Sequence, residues 1–235
     1  AWLVQGEGRN LLVDVGMPEP EVVRRRWRTE SDRGGPDVLR AELAEHGVTP
    51  DEVDTLVLTH LHFDHAWNLD LFPNARAIVQ LSELHTAIDP IPTQRGYYSR
   101  DVTVAVIGRR RPDRLAIAYG DLDLGPGLRL MHIPGHTPGI MGLLVATERG
   151  RVGLPSDAGE RYANWHPADP VANPNPVRFL ADTFMPPHIA SESVLTCIAS
   201  LSRFRAACDI VVPSHDWRIP RRIPEQWWDV PPAAD

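Results

Sequence analysis

The stretch Thr59-His60-Leu61-His62-Phe63-Asp64-His65 decides how the rest of the chain is read. Three histidines and a carboxylate fall within six residues, directly after the apolar run Thr55–Leu58. A short run of that kind reads as a buried strand, so the cluster sits where a strand gives way to a loop or helix. Imidazole nitrogen and carboxylate oxygen are the ligands of zinc and its neighbours. With the strand carried through His60, the period of two sends His60 and His62 to one side. Asp64 and His65 follow on the turn, within reach of a second position. One ion does not take all four groups and stay open for catalysis, so the spacing points to two ions side by side. A lone His-x-His is commonly a surface strand. The longer pattern is far more specific, provided that further ligands appear at other strand ends.

They do appear. His136 lies in Pro134-Gly135-His136-Thr137-Pro138-Gly139, after the strand-like Leu128–Ile133. Asp157 follows Arg151–Leu154, and His215 follows Asp209–Val212. Each sits among Gly, Pro or Ser, which punctuate loops. Seven candidate ligands thus fall at four strand ends. In order and spacing, from Asp14 to His215, this pattern resembles the metallo-β-lactamase superfamily.

The resemblance implies an α/β fold: a four-layer αββα sandwich with a metal site at one edge of the two sheets. It implies two zinc ions per chain, with other divalent metals as substitutes. His60, His62 and His136 would hold the first ion, Asp64, His65 and His215 the second, and Asp157 would bridge them. Asp14, ending the second strand, matches the aspartate that supports the metal loops from behind. The chemistry implied is attack of a hydroxide shared by the two ions on a carbonyl, with Asp64 orienting it and passing its proton on.

Within the superfamily the nearest resemblance is to the N-acyl homoserine lactonase branch. It is carried by His60-Leu61-His62-Phe63-Asp64-His65-Ala66, by Asn74–Gln80 and by the Pro134–Gly139 loop. Two positions depart. Trp67 stands where the branch has Gly, a bulky ring that narrows a pocket beside the metals. Glu160 stands where the branch has a tyrosine that assists the substrate carbonyl, and the nearest tyrosine is Tyr162. The expected function is hydrolysis of an N-acyl homoserine lactone or a related lactone or ester, with Asp64 and Tyr162 as the catalytic side chains. A glyoxalase-II-like thioesterase and a mononuclear iron persulfide dioxygenase are the alternatives, because both share these ligand types.

The whole chain sets bounds. Its 235 residues suit one domain, 1–235, or two tightly fused halves. Charged residues make up 23% and the net charge is −7, which does not invite nucleic acid. No run reaches the roughly 20 apolar residues of a membrane helix. The partner expected is a small lactone or ester, with a homodimer by analogy to the branch. The two cysteines, Cys197 and Cys208, provide no disulfide framework, and the compartment expected is a reducing, cytoplasmic one. The chain opens at Ala1, already inside the strand-like Trp2–Val4, which leaves open residues before it, a removed leader included.

Helices are expected at Glu21–Trp27, Asp37–His46, Ala66–Phe72, Glu83–Ile88 (capped by Ser82) and Ser191–Phe204. The last of these carries an apolar stripe of Val194, Leu195, Ile198 and Leu201, read as core. His132 is also read as core. Gly6-Glu7-Gly8 predicts a hairpin. Asp89–Arg100 reads as a loop and Arg109–Arg114 as a charged turn. Glu160–Pro187, with six prolines, reads as a long functional loop over the metals. The tail with Trp217, Trp227 and Trp228 is read as packing on the body or on a partner.

Overall fold

The structure, a computed structural model, describes residues 1–109, 111 and 113–216. The aromatic tail and part of the Arg109–Arg114 turn lie outside the described residues. The chain divides into two compact units, Ala1–Tyr119 and the remainder from Gly120.

In the first unit, β1 (Trp2–Gly6) and β2 (Arg9–Val13) form the expected hairpin. Its two turn residues, Glu7 and Gly8, have φ of 50° and 72°. A two-residue turn matched to the strand twist requires positive φ at both. Next come α1 (Pro20–Trp27), α2 (Pro36–Glu45), β3 (Thr55–Val57), α3 (Phe63–Ala66), β4 (Arg76–Gln80), α4 (Leu81–Ile88), α5 (Arg100–Gly108) and β5 (Leu115–Ala118). The strands make one five-stranded sheet in the order β1-β2-β3-β4-β5. From β2 onward all neighbours are parallel, so each needs a crossover, and the helices supply it. Leu12, Leu56 and Ala77 lie side by side in register. With Leu58 and Val79 they form one buried face beneath Leu43, Ala87, Val102, Val106 and Phe72 of the crossovers. Each fully buried Leu or Phe contributes about 1.5–3 kcal/mol. Because β2 and β3 run in parallel, both end at the same edge. Asp14 leaves one and Thr59–His65 leaves the other, the position where parallel sheets present ligand-binding loops.

The sequence expectations differ from this unit in three places. Helix α3 starts at Phe63, inside the cluster, so Asp64 and His65 lie on a helical turn and not ahead of one. The Phe63 N–H is taken by the Tyr97 carbonyl at 2.9 Å, so it is not a free donor beside the ligands. Helix α4 begins at Leu81 without a side-chain cap, so Ser82 does not cap it. Helix α5 had no signal in the pattern: it is short and rich in β-branched residues, and only Val102, Thr103 and Val106 are buried.

In the second unit, β6 (Leu122–Gly125), β7 (Leu128–His132), β8 (Met141–Thr147) and β9 (Gly150–Leu154) form an antiparallel run. Then come α6 (Tyr162–Trp165), α7 (Val194–Arg205) and β10 (Ile210–Val211), which adds parallel to β9. The sheet order is β10-β9-β8-β7-β6. Phe204 of α7 lies flat on two glycines of the sheet. A Cβ on Gly142 or Gly153 would meet its ring at 2.5 or 2.7 Å. Around it pack Met131, Ile133, Ile140, Leu144, Trp165 and Leu201.

The stripe expected on α7 is displaced. Val194 and Leu195 are 62% and 81% exposed, and the buried face is Cys197, Leu201 and Phe204. The contact of Phe204 with Gly142 and Gly153 fixes which face turns inward. His132 is half-buried, not core, and its Nε2 bonds the Pro138 carbonyl at 2.8 Å, bracing the His136 loop. The segment from Gly120 to Gly127 holds β6, and the long loop after Glu160 holds α6. Both cysteines are free and buried. Burial pushes the Cys208 thiol up to about 11 and raises that of Cys197, so neither is a reactive thiolate at neutral pH.

Candidate metal centre

In the first unit the ligand loop is fixed by one carboxylate. Asp14 adopts φ of 59°, tolerable for Asp, while its N–H holds the Val57 carbonyl at 2.9 Å. Its oxygens accept the Thr59 N–H at 2.8 Å, the Thr59 hydroxyl at 2.8–2.9 Å and His65 Nδ1 at 2.7 Å. With Nδ1 so engaged, His65 turns Nε2 toward Asp64 Oδ2, 3.6 Å away. Thr59 Oγ1 also lies 3.1 Å from His60 Nδ1. The rings of His60 and His62 are 4.6 Å apart edge to face, and those of His60 and His65 are 4.1 Å apart. So the four residues converge although β3 ends at Val57, before the cluster, and not at His60.

Glu83 is a contributor that the sequence did not reveal. Its fully buried carboxylate accepts the Leu61 N–H and the Tyr98 hydroxyl, each at 2.9 Å. It thus pins the residue between His60 and His62. An acid on a short amphipathic helix carries no mark of this; only the buried site gives it meaning. Beside the cluster, Trp27 stacks on Phe63 at 3.9 Å and meets Trp67 edge-on at 5.8 Å, with the Arg26 guanidinium over Trp67 at 5.1 Å.

In the second unit the ligands come from three separate loops. His136 is 1% exposed, and its Nδ1 is held by the Ile189 carbonyl at 2.9 Å. Its Nε2 lies 3.7 Å from Asp157 Oδ2. Asp157 sits on the short helical turn after β9, where Ser156 has φ of 51°. Its Oδ1 accepts the Ser214 hydroxyl at 2.6 Å and lies 3.3 Å from His215 Nε2. The His215 N–H donates to the Glu160 carbonyl at 2.8 Å. Asp157 therefore stands between His136 and His215. Tyr162, at the start of α6, is 2% exposed, and its N–H donates to Asp216 at 2.9 Å.

Each histidine anchored through Nδ1 presents Nε2, the arrangement that outer hydrogen bonds impose on metal-binding imidazole. Among the described residues the donors are only nitrogen and carboxylate oxygen, with no thiolate, which suits zinc, iron, nickel or manganese. These His and Asp groups, on two sheets flanked by helices, define the class: a metal-dependent hydrolase of α/β architecture. Residues 1–215 match the metallo-beta-lactamase superfamily, and the chain belongs to it. It is 30% identical over 189 residues to the N-acyl homoserine lactonase of Bacillus thuringiensis, covering 74% of this chain and 69% of that one. It is 31% identical over 160 residues to the N-acyl homoserine lactonase AiiB of Agrobacterium fabrum, covering 63% and 58%. Among solved structures, a quorum-quenching N-acyl homoserine lactone lactonase superposes with a TM-score of 0.68 at 24% identity, covering 94% of this chain and 81% of that one. A second is an N-acyl homoserine lactone hydrolase with the product N-hexanoyl-L-homoserine at its catalytic metal centre. It superposes with a TM-score of 0.66 at 25% identity, covering 92% and 80%. The chain is thus a superfamily hydrolase related to N-acyl homoserine lactonases.

Proposed function

We propose that the chain is a dizinc lactonase that opens an N-acyl homoserine lactone or a closely related lactone. His60, His62 and His136 would hold one ion and Asp64, His65 and His215 the other, with Asp157 shared and Asp14 behind His65. Two zinc ions bound there would supply Lewis acidity for the lactone carbonyl and bring a water's pKa toward neutrality. Asp64, its side chain 20% exposed, is the carboxylate able to take up and release a proton at Oδ2. Tyr162 would offer its hydroxyl to the lactone carbonyl. The stacked Trp27 and Phe63 would give the acyl chain apolar surface.

The observation that carries this reading is the anchoring of His65 and His136 through Nδ1, which leaves each Nε2 facing a carboxylate. A buried histidine kept for packing alone has no need of that arrangement. Kinship with lactonases supports the substrate class. The test is elemental analysis of the purified protein, followed by a panel of acyl-homoserine lactones of several chain lengths, other lactones, simple esters, a thioester and a β-lactam. A pH indicator follows the proton released on ring opening. About two zinc ions per chain and turnover of a lactone are expected. A single iron points to the dioxygenase, and preference for the thioester points to the thioesterase.

A further inference from the structure

Glu160 is a buried acid outside the seven assigned ligands. It is 3% exposed. Its Oε1 is engaged by His188 Nδ1, on a side chain that is itself 64% exposed. Its Oε2 is buried and accepts no hydrogen bond from the described residues. A buried carboxylate oxygen left in that state is costly unless a cation compensates it. A solvent-facing histidine on the other oxygen is a weak substitute. The missing compensation has an evident source: ligand atoms of His136, Asp157 and Glu160 all lie within 4.8 Å of one another. An ion with donors at about 2.0–2.2 Å gathers such a trio after small side-chain movements.

We propose, resting on the two-metal reading above, that Glu160 is an additional carboxylate ligand to the ion held by His136 and Asp157, with His188 fixing its orientation. The chain's departure from its relatives at this position then has a chemical consequence. A charged oxygen donor is added where the lactonase branch has a neutral phenol. Carboxylate favours harder ions, so this position should hold Mn²⁺ or Co²⁺ more firmly than an imidazole-dominated one.

The test is to strip the full-length protein of metal and reload it with Co²⁺, following binding by calorimetry and by the visible cobalt bands. Wild type should take two ions. Glu160→Gln should lose about 10–100-fold in affinity for one of them, with a changed band for that ion and the other unaffected. His188→Ala alters an exposed side chain and should shift the same ion in the same direction by less. Wild type with two ions and Glu160→Gln indistinguishable from it in both affinity and spectrum would overturn the Glu160 assignment while sparing the two-metal reading. Wild type with fewer than two ions would overturn both. Should Glu160→Gln fail to fold, His188→Ala decides, and unaltered cobalt affinity and spectrum there would count against Glu160.

Discussion

Each of the two units sets out its own candidate ligands, and by opposite means. In the first, four ligands lie within six residues, and three outside groups (Asp14, Thr59 and Glu83) fix the whole loop. In the second, three candidate ligands, His136, Asp157 and His215, are spread over 79 residues from first to last. Each of these has its own anchor: the Ile189 carbonyl, the Ser214 hydroxyl and the Glu160 carbonyl. A concentrated loop depends on few anchors, and losing one disturbs several ligands. A dispersed set depends on many, and losing one disturbs a single ligand.

The largest effect should come from the ligands themselves, where the two units become equal. His62→Ala and Asp157→Ala should each lower kcat/KM for the lactone by more than about 100-fold, beyond the upper range for losing an outer partner, with far-UV circular dichroism unchanged. Either variant at full activity would break the assignment.

The units should part company at the anchors. Asp14→Ala removes the acceptor for both Thr59 and His65. It should cost about 10–100-fold in metal affinity and about 2–3 kcal/mol in stability, as for hydrogen bonds to a charged group. Ser214→Ala removes one hydroxyl and should cost about 1 kcal/mol, with a correspondingly small change in metal retention against a chelator. Equal effects from the two substitutions would dissolve the contrast.

Glu83→Gln lies between these. The amide oxygen can still accept from Leu61 or Tyr98, so about 1–2 kcal/mol of stability is expected to go. Metal loss should be smaller than for Asp14→Ala, measured by urea unfolding and by elemental analysis.

The smallest effect concerns pH in the second unit. Burial, helped by the Arg205 charge, holds His166 below its ordinary range. Its folded pKa is lower than its unfolded one near 6.5, so the unfolded chain binds more protons between the two. Stability contributed here is fully present above about pH 6.5 and is lost as the pH falls through the folded value. His166→Phe should flatten the fall of the melting midpoint between about pH 7 and 5. An unchanged slope would assign that acid sensitivity to other groups.

Much of this was legible beforehand for particular reasons. The strand before His60 and the hairpin at Glu7-Gly8 follow from local pattern, because strand period and turn chemistry act over a few residues. Helix α5 and the true inner face of α7 did not follow. The first is short and the second carries apolar residues on more than one face, so packing alone settles which side is buried. Glu83 and His132 were illegible for a similar reason: a polar side chain shows its role only when its partner is known.

By itself the amino-acid sequence determined the superfamily and pointed to His and Asp groups able to hold a metal, because metal chemistry favours those atoms at those intervals. Only the tertiary structure decided which buried carboxylates anchor the histidines and that one Glu160 oxygen is buried with no hydrogen bond from the described residues. Those facts depend on contacts between segments tens of residues apart, such as Asp14 with His65 or Glu160 with His188. No local rule of propensity or spacing encodes contacts of that range.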